Sequence, residues 1–281
     1  MKAKTECHRC FQRQASDAAR LAGMDETGRE ELLSQIRGQL SATPLDTNPA
    51  ITASAIHALI RRQADNPDPF RDKKHEATAQ ALSLYPQLRS MLLQAVEPLD
   101  TAIRLAIAGN IIDLGVAAEY DLEASIERVL STTPELNHMA QLKTAIQQAE
   151  SILYLGDNAG ETVMDRLLIE TLDKPVTYAV KGGPAVNDAT REDALDAGLD
   201  RVCEVIDNGA AAMGTLLDQC SDTFRKRFDE APLVIAKGMA NYESLSGTRE
   251  NLFFLLQAKC AVVAADLGVE EKSIVILENH R

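Results

Sequence analysis

From Ser151 onward, short apolar runs alternate with stretches of helical periodicity, and this alternation limits the possible folds more than any other feature of the chain. The runs are Ser151–Leu155, Pro175–Val180, Arg201–Ile206, Pro232–Ala236 and Ser273–Leu277. Each is mostly β-branched or Leu and is bounded by Gly, Pro or Asx. Between them the pattern predicts helices over Glu161–Leu172, Arg191–Ala197, Gly214–Cys220 and Leu252–Leu267. Strands apolar on both faces, joined through helices, form a mainly parallel sheet covered on both sides. The expected fold class is therefore α/β, with an α/β/α domain over residues 149–281. Such sheets bind ligands outside the carboxyl ends of their strands, so the residues after each run carry the chemistry.

Residues 1–148 read as a separate helical domain. Ala79–Val96 places Leu82, Tyr85, Leu88, Leu92 and Ala95 on roughly one helix face. Thr101–Ala117, Leu122–Leu130 and Leu136–Ala149 have the same character, while Ala42–Pro49 and Asp65–Pro69 read as loops. No apolar stretch suits a secretory signal or a membrane span. Five cysteines without small-scaffold spacing indicate cytoplasmic thiols. A net charge of −13 with no basic stripe argues against a nucleic-acid partner. A phosphate substrate would have to overcome that overall field through local cations.

The first run leads into Gly156-Asp157-Asn158-Ala159-Gly160-Glu161 and then a helix. Asp157 and Asn158 offer hard oxygen ligands, and the following helix start supplies N–H groups and partial positive charge suited to phosphate. The second run is followed by Lys181-Gly182-Gly183 and by Asn187-Asp188, ahead of a helix whose Thr190 and Asp193 stand at capping-box spacing. The third ends in Asp207-Asn208-Gly209 and the fourth in Lys237-Gly238, with Asn241 and Glu243 beyond. Singly, these read as turns, caps and surface lysines. Together they bring acids, amides and lysines to one edge of one sheet, which suits Mg²⁺ or Mn²⁺ better than zinc and matches the requirements of phosphoryl transfer. The chain has no Walker motif, nucleophile elbow or H-E-x-x-H.

The helical half adds two features. Cys7 and Cys10 form a C-x-x-C with no second pair nearby, where a structural zinc needs four ligands. Asn110 and Asp113 stand three residues apart in an apolar stripe, either as hydrogen-bonded core residues or facing an interdomain cleft.

These motifs resemble, in order, those of the damage-control phosphatase family, the group described as domain of unknown function 89. The resemblance runs through the C-x-x-C, Gly109-Asn110 with Asp113, Gly156 to Glu161, Pro184 with Asn187 to Thr190, and Lys237-Gly238 with Asn241 to Glu243. The C-x-x-C resembles the mostly prokaryotic branch. It implies a helical N-terminal region on a Rossmann-like α/β/α domain and metal-dependent hydrolysis of small phosphomonoesters, such as sugar phosphates or damaged phosphometabolites. It implies that Asp157, Asn158 and Asp188 hold a divalent cation (Mg, Mn, Co or Ni) and that Lys237 contacts the phosphate. Asn187, Asn241 and Glu161 would line the site, Lys181 and Glu243 would add to it, and Asn110 and Asp113 would face it. The attacking group would be water or the carboxylate of Asp157 or Asp188. Two other readings are an S-adenosylmethionine-dependent methyltransferase, using the acidic glycine turn, and a metal- or redox-binding module built on Cys7 and Cys10.

Overall fold

The structure is a computed structural model that describes residues 1–111 and 122–280, with the backbone alone for residues 110–111 and 122–125. Asp113 and the end of the helix expected over Thr101–Ala117 lie outside the described residues.

The chain begins with five helices: α1 (Thr5–Leu21), α2 (Glu26–Ala42), α3 (Pro49–Gln63), α4 (Arg71–Gln94) and α5 (Pro98–Ile111). The next elements are α6 (Leu122–Ser131), β1 (Leu136–Asn137), α7 (Met139–Gln148) and β2 (Ile152–Leu155). They are followed by α8 (Thr162–Thr171), β3 (Val176–Val180), α9 (Arg191–Asp196), β4 (Glu204–Asp207) and α10 (Asp222–Glu230). The chain closes with β5 (Leu233–Lys237), α11 (Gly238–Leu245), β6 (Leu252–Gln257), α12 (Ala261–Leu267) and β7 (Ile274–Glu278). No described helix is long and apolar enough to cross a membrane.

The strands form one seven-stranded sheet in the order β1-β7-β6-β5-β2-β3-β4. All pairings are parallel except β6 with β7. Alternation along each strand sorts side chains onto two covered faces. Ile152 and Tyr154 of β2, Val176 and Tyr178 of β3, and Leu233 and Ile235 of β5 pack with α4, α5 and α8. Leu153, Leu155, Ala179, Val234 and Ala236 face the opposite way, onto α10, α11 and α12. The first of these cores runs without a break from Ala81 in α4 to Ile276 in β7, across residue 148. The helices α1, α2 and α3 have a core of their own, including Phe11, Leu32, Ile36, Ile56 and Ile60.

Several expected elements take a different form. Leu252–Leu267 is not one helix but β6 followed by α12. Leu252–Gln257 is buried at every position, and periodicity alone does not separate such a run from a buried helix. Pairing with β5 and β7 on either side satisfies its backbone. Leu136–Ala149 is likewise divided, because Leu136 and Asn137 join the sheet beside β7 before α7 begins. Gly214–Cys220 holds only a short 3₁₀ turn at Leu217–Gln219.

β2 and β5 are neighbours, and from β2 the chain runs first toward β4 and only later returns to β5 and β6. The crevice outside their carboxyl ends is therefore the topological switch point of the sheet, where open α/β sheets bind their ligands.

α5 crosses α8 at close range. A Cβ on Gly109 would lie 3.2 Å from Met164 Cβ and 3.5 Å from Glu161 Cα. Replacing Gly109 with Leu should therefore destabilise the protein by ~1–3 kcal/mol, because overpacking outweighs the helix-propensity gain of under ~1 kcal/mol. A lower urea midpoint with unchanged slope would show this, whereas a higher midpoint would show that the helices separate freely.

Candidate active site

β2 delivers Asp157 and Asn158 to the switch point, β3 delivers Lys181 and the loop to Asp188, and β5 delivers Lys237 and Gly238. The two loops are laced together. Ala189 N donates to Asp157 O at 2.7 Å, Ala159 N to Asn187 O at 2.9 Å and Lys181 N to Ala189 O at 2.9 Å. An isolated bridge joins Asn158 to Asp188. Residues thirty apart in sequence thus converge as one unit. Val186, within this loop, has φ of 54°, a left-handed conformation rare for a β-branched residue. It packs against the α1–α3 core, so tertiary contacts hold the strain in place.

Asp157 and Asp188 are both buried. Burial is the main force pushing the Asp157 carboxyl well above its usual range, with Glu161 and Asp188 adding to it and Lys181 and Lys259 opposing. Asp188 is pushed up to about 6, again chiefly by burial, against the pull of Lys181. Lys181 Nζ lies 3.5 Å from Asp188 Oδ2. That oxygen nevertheless accepts no hydrogen bond among the described residues. Two neighbouring buried carboxylates carry a desolvation penalty that a bound cation would offset.

Gly238 makes room for this acid. Its φ is +78°, and a Cβ there would fall 1.9 Å from Asp157 Oδ2, inside the carboxylate. No other residue type allows β5 to turn into α11 while Asp157 keeps its position.

Lys237 takes a place that the sequence did not indicate. Its side chain is fully buried, with Nζ 2.8 Å from both Glu161 Oε2 and Asp165 Oδ1. Burial alone would lower its pKa, but Asp165 and Glu161 prevail and raise it. Asp165 also accepts from the Tyr154 and Tyr178 hydroxyls, each at 2.8 Å. Glu161 in turn accepts from Asn158 Nδ2 at 2.6 Å. A chain of hydrogen bonds therefore runs from Tyr178 through Asp165, Lys237 and Glu161 to Asn158. Sequence reading missed Asp165, although it stands four residues after Glu161 on one helix face.

A cavity of about 250 Å³ opens above this network. Asp157, Asn158, Asn187, Asp188 and Lys259 line its sheet side. Helices α1, α3 and α4 close it from above with Arg20, His57, Phe70 and Lys74. Lys259 was also missed, because it follows β6, which the sequence pattern assigns to a helix. Lys181 is buried behind Asp188, off the cavity wall. Asn241 is buried, with Nδ2 donating to Gly156 O and Lys237 O and Oδ1 accepting from Thr215 Oγ1 at 2.7 Å. It locks α11 to β2 and does not reach the cavity wall. Glu243 sits by the chain's first residue, its backbone oxygen accepting from the Met1 amino group at 3.2 Å. Its carboxyl is pushed up to about 7 by burial, with the N-terminal charge opposing, and it too lies off the cavity wall. Asn110 belongs to α5, but its side chain is outside the described atoms.

Cys7 and Cys10 occupy the first turns of α1, away from the cavity wall. Burial, more than any neighbouring charge, pushes both thiols up, which disfavours the reactive thiolate. His138, Glu278 and His280 form another group of ligand-type side chains, with atoms within 4.8 Å of one another. There, however, His138 Nδ1 accepts the Glu278 N–H at 2.9 Å. That leaves the ring proton on Nε2, so neither ring nitrogen has a free lone pair for a metal.

The fold and site define an α/β protein with a buried acidic centre at the switch point of its sheet, covered by a helical cap. The chain belongs to the damage-control phosphatase family: the model of the damage-control phosphatase ARMT1-like domain matches residues 3–275. An uncharacterized protein of Methanocaldococcus jannaschii is 33% identical over 99% of this chain and 96% of its own length. A protein of Pyrococcus horikoshii described as a damage-control phosphatase is 34% identical over 99% of both chains. The crystal structure of a DUF89 family protein from Pyrococcus horikoshii superposes with a TM-score of 0.91 at 31% identity, covering 100% of both chains. This family membership lends nothing to the methyltransferase reading.

The network around Lys237 yields a stability prediction. Lys237→Met strands Glu161 and Asp165 as buried carboxylates without their cation, which should cost ~3–5 kcal/mol at neutral pH. Asp165 already has a raised pKa, from burial first. Without Lys237 it would rise further, so in the variant the penalty is present above that pKa and shrinks as pH falls through it and the carboxyl takes a proton. Urea titrations of both proteins across pH would show the gap narrowing toward acid. A gap independent of pH would mean that Lys237 acts only through packing.

Proposed function

We propose that this protein is a divalent-metal-dependent phosphatase acting on small phosphomonoesters of damaged metabolites, in a cytoplasm that keeps its five free thiols reduced. The observation that carries this reading is the convergence of Asp157, Asn158 and Asp188 beside a cavity, with Asp188 Oδ2 ion-paired to Lys181 at 3.5 Å but accepting no hydrogen bond from the described residues. Two relatives described as damage-control phosphatases support the reaction class.

The donor set is two carboxylates and one amide, all hard oxygen ligands, and it fits Mg²⁺, Mn²⁺, Co²⁺ or Ni²⁺. When bound, such an ion supplies Lewis-acid polarisation and charge neutralisation for phosphoryl transfer. The protein's own residues do the rest. Lys259, on the cavity wall, supplies the cation that meets the phosphate, and Lys181 balances the two acids from behind. The turn at Ala159–Glu161 puts Gly160 on the cavity wall ahead of α8, whose N-terminal end adds the helix dipole. Lys237 holds Glu161, and through it Asn158, in a fixed orientation and does not touch the phosphate. The cap of α1, α3 and α4 limits water and takes the alcohol portion of the ester.

The test is phosphate release from a panel of phosphomonoesters by chelated protein, before and after adding each of the four cations. Release should require a cation. Adding that cation should also raise the melting temperature, since it binds the folded state alone. Asp157→Asn should remove the thermal shift and reduce turnover by about 100-fold or more, at least the loss typical of an outer-sphere partner. Full turnover in chelator, or in Asp157→Asn, would overturn the proposal.

A further inference from the structure

Outside the acidic centre, the structure gathers three of the five cysteines beside one carboxylate. Cys7 and Cys10 stand three residues apart on one face of α1. Cys260 caps α12, its Sγ accepting the Val263 N–H at 3.5 Å. Glu243 lies on α11 one turn beyond Met239, and Met239 Sδ accepts the N–H of Lys259, the neighbour of Cys260, at 3.2 Å. The chain's entry into α1 reaches the same turn of α11. There the Met1 amino group donates to Glu243 O at 3.2 Å, and Lys4 N donates to Cys7 Sγ at 3.4 Å. Burial is the main force raising the pKa of all three thiols, and the charge of Glu243 adds to it at each. Cys10 acts in the same sense on Cys7, Cys260 on Cys10 and Cys7 on Cys260. The four side chains, from three separate elements, thus lie within electrostatic reach of one another.

The grouping is costly without a cation. The Glu243 carboxylate accepts no hydrogen bond from the described residues, and burial raises its pKa against the charge of the Met1 amino group. Cys7, Cys10 and Cys260 are half-buried, so an ion can reach them from solvent. Three sulfurs and one oxygen make a soft, four-ligand set, which suits Zn²⁺ and not the hard cations that the acids after β2 would hold. The C-x-x-C supplies the first half of such a site. The second half comes from α11 and the start of α12, which is why the sequence shows no second cysteine pair. In this structure the four ligand atoms do not all lie within 4.8 Å of one another, as those of His138, Glu278 and His280 do. Coordination therefore draws them together by rotamer change.

We propose that Cys7, Cys10, Cys260 and Glu243 form a second metal site, which binds the thiophilic cation Zn²⁺ and clips the cap helix α1 to the sheet domain. The clip lies next to the cavity on each element: Gln14 follows Cys10 by a turn, Met239 precedes Glu243 by a turn, and Lys259 adjoins Cys260, and all three line the cavity. Holding α1 there fixes one side of the cap. The site goes beyond the phosphatase reading and does not depend on it.

The test uses the full-length protein, reduced and stripped of metal, and titrates it with Co²⁺ as a coloured substitute for Zn²⁺. A thiolate-to-Co²⁺ charge-transfer band should appear together with the intense visible bands of tetrahedral coordination, and both should vanish as Zn²⁺ displaces Co²⁺. The acids after β2 offer only oxygen and give no such charge-transfer band. The second readout is alkylation of the wild-type protein by iodoacetamide, followed by mass spectrometry of its peptides. Zn²⁺ should slow modification of Cys7, Cys10 and Cys260 by about tenfold or more, because a metal-bound thiolate is no longer a free nucleophile, and leave Cys203 and Cys220 unchanged. Cys260→Ser, shown by circular dichroism to be folded, should lose about a third or more of the charge-transfer absorbance, one thiolate of three. No charge-transfer band in the wild-type protein, or alkylation equal with and without Zn²⁺, would overturn the assignment. So would a band of undiminished strength in Cys260→Ser. Neither readout involves phosphate release, so failure of the phosphatase reading leaves both outcomes legible.

Discussion

The Lys237 ammonium, fully buried between Glu161 and Asp165, is the interaction on which the rest of the site depends. A charge without solvent persists only if partners on other elements surround it. Here those partners tie the end of β5 to the first turns of α8, directly beneath the acids that follow β2. Tyr154 and Tyr178 extend the tie into the middle of the sheet through Asp165. Replacing the triad with apolar side chains would give an adequate core. It would lose the directional bonds that orient Glu161 and hence Asn158.

Above that tie, the protein concentrates negative charge where it is least comfortable. Asp157 and Asp188 are buried near each other in a chain whose net charge is already −13. The compensation is local. Lys181 faces Asp188 at 3.5 Å, and Lys259 acts on Asp157 from across the crevice. Backbone geometry gives way to the acids too, since Gly238 is left-handed and without a Cβ where the Asp157 carboxylate sits. Val186 is strained in the loop that carries Asp188. Backbone strain and buried acids thus fall at one place, at a cost in stability.

The helical cap turns the crevice into a cavity. Its own core holds α1, α2 and α3 together, and named polar contacts fasten it to the sheet domain. Asn48 Nδ2 donates to Glu243 O at 2.7 Å, Met213 N donates to Ser54 Oγ at 2.9 Å, and Lys74 reaches Asp193 at 3.0 Å. Asp193 also closes the capping box with Thr190 at the start of α9. One carboxylate thus sets both the helix after the Asp188 loop and the position of α4.

The α/β class, the parallel β2 to β5 strands and the acids at their ends were legible in the sequence, because apolar runs, glycine turns and caps are local signals. The Asp157-Asn158 turn and the Thr190–Asp193 box were readable for the same reason. What was not legible depends on which elements meet. Leu252–Gln257 becomes a strand only because β5 and β7 flank it, and Lys259 enters the cavity only as a consequence. Lys237 looked like a phosphate cation, but it lies beneath the site because Glu161 and Asp165 enclose it from α8 and the turn before it. Asn241, expected to line the site, lies off the cavity wall and stitches α11 to the end of β2. The sequence by itself determined which residue types stand at the strand ends. Only the tertiary structure decided which of them face the cavity and which are spent holding it, because burial and pairing belong to contacts between distant segments.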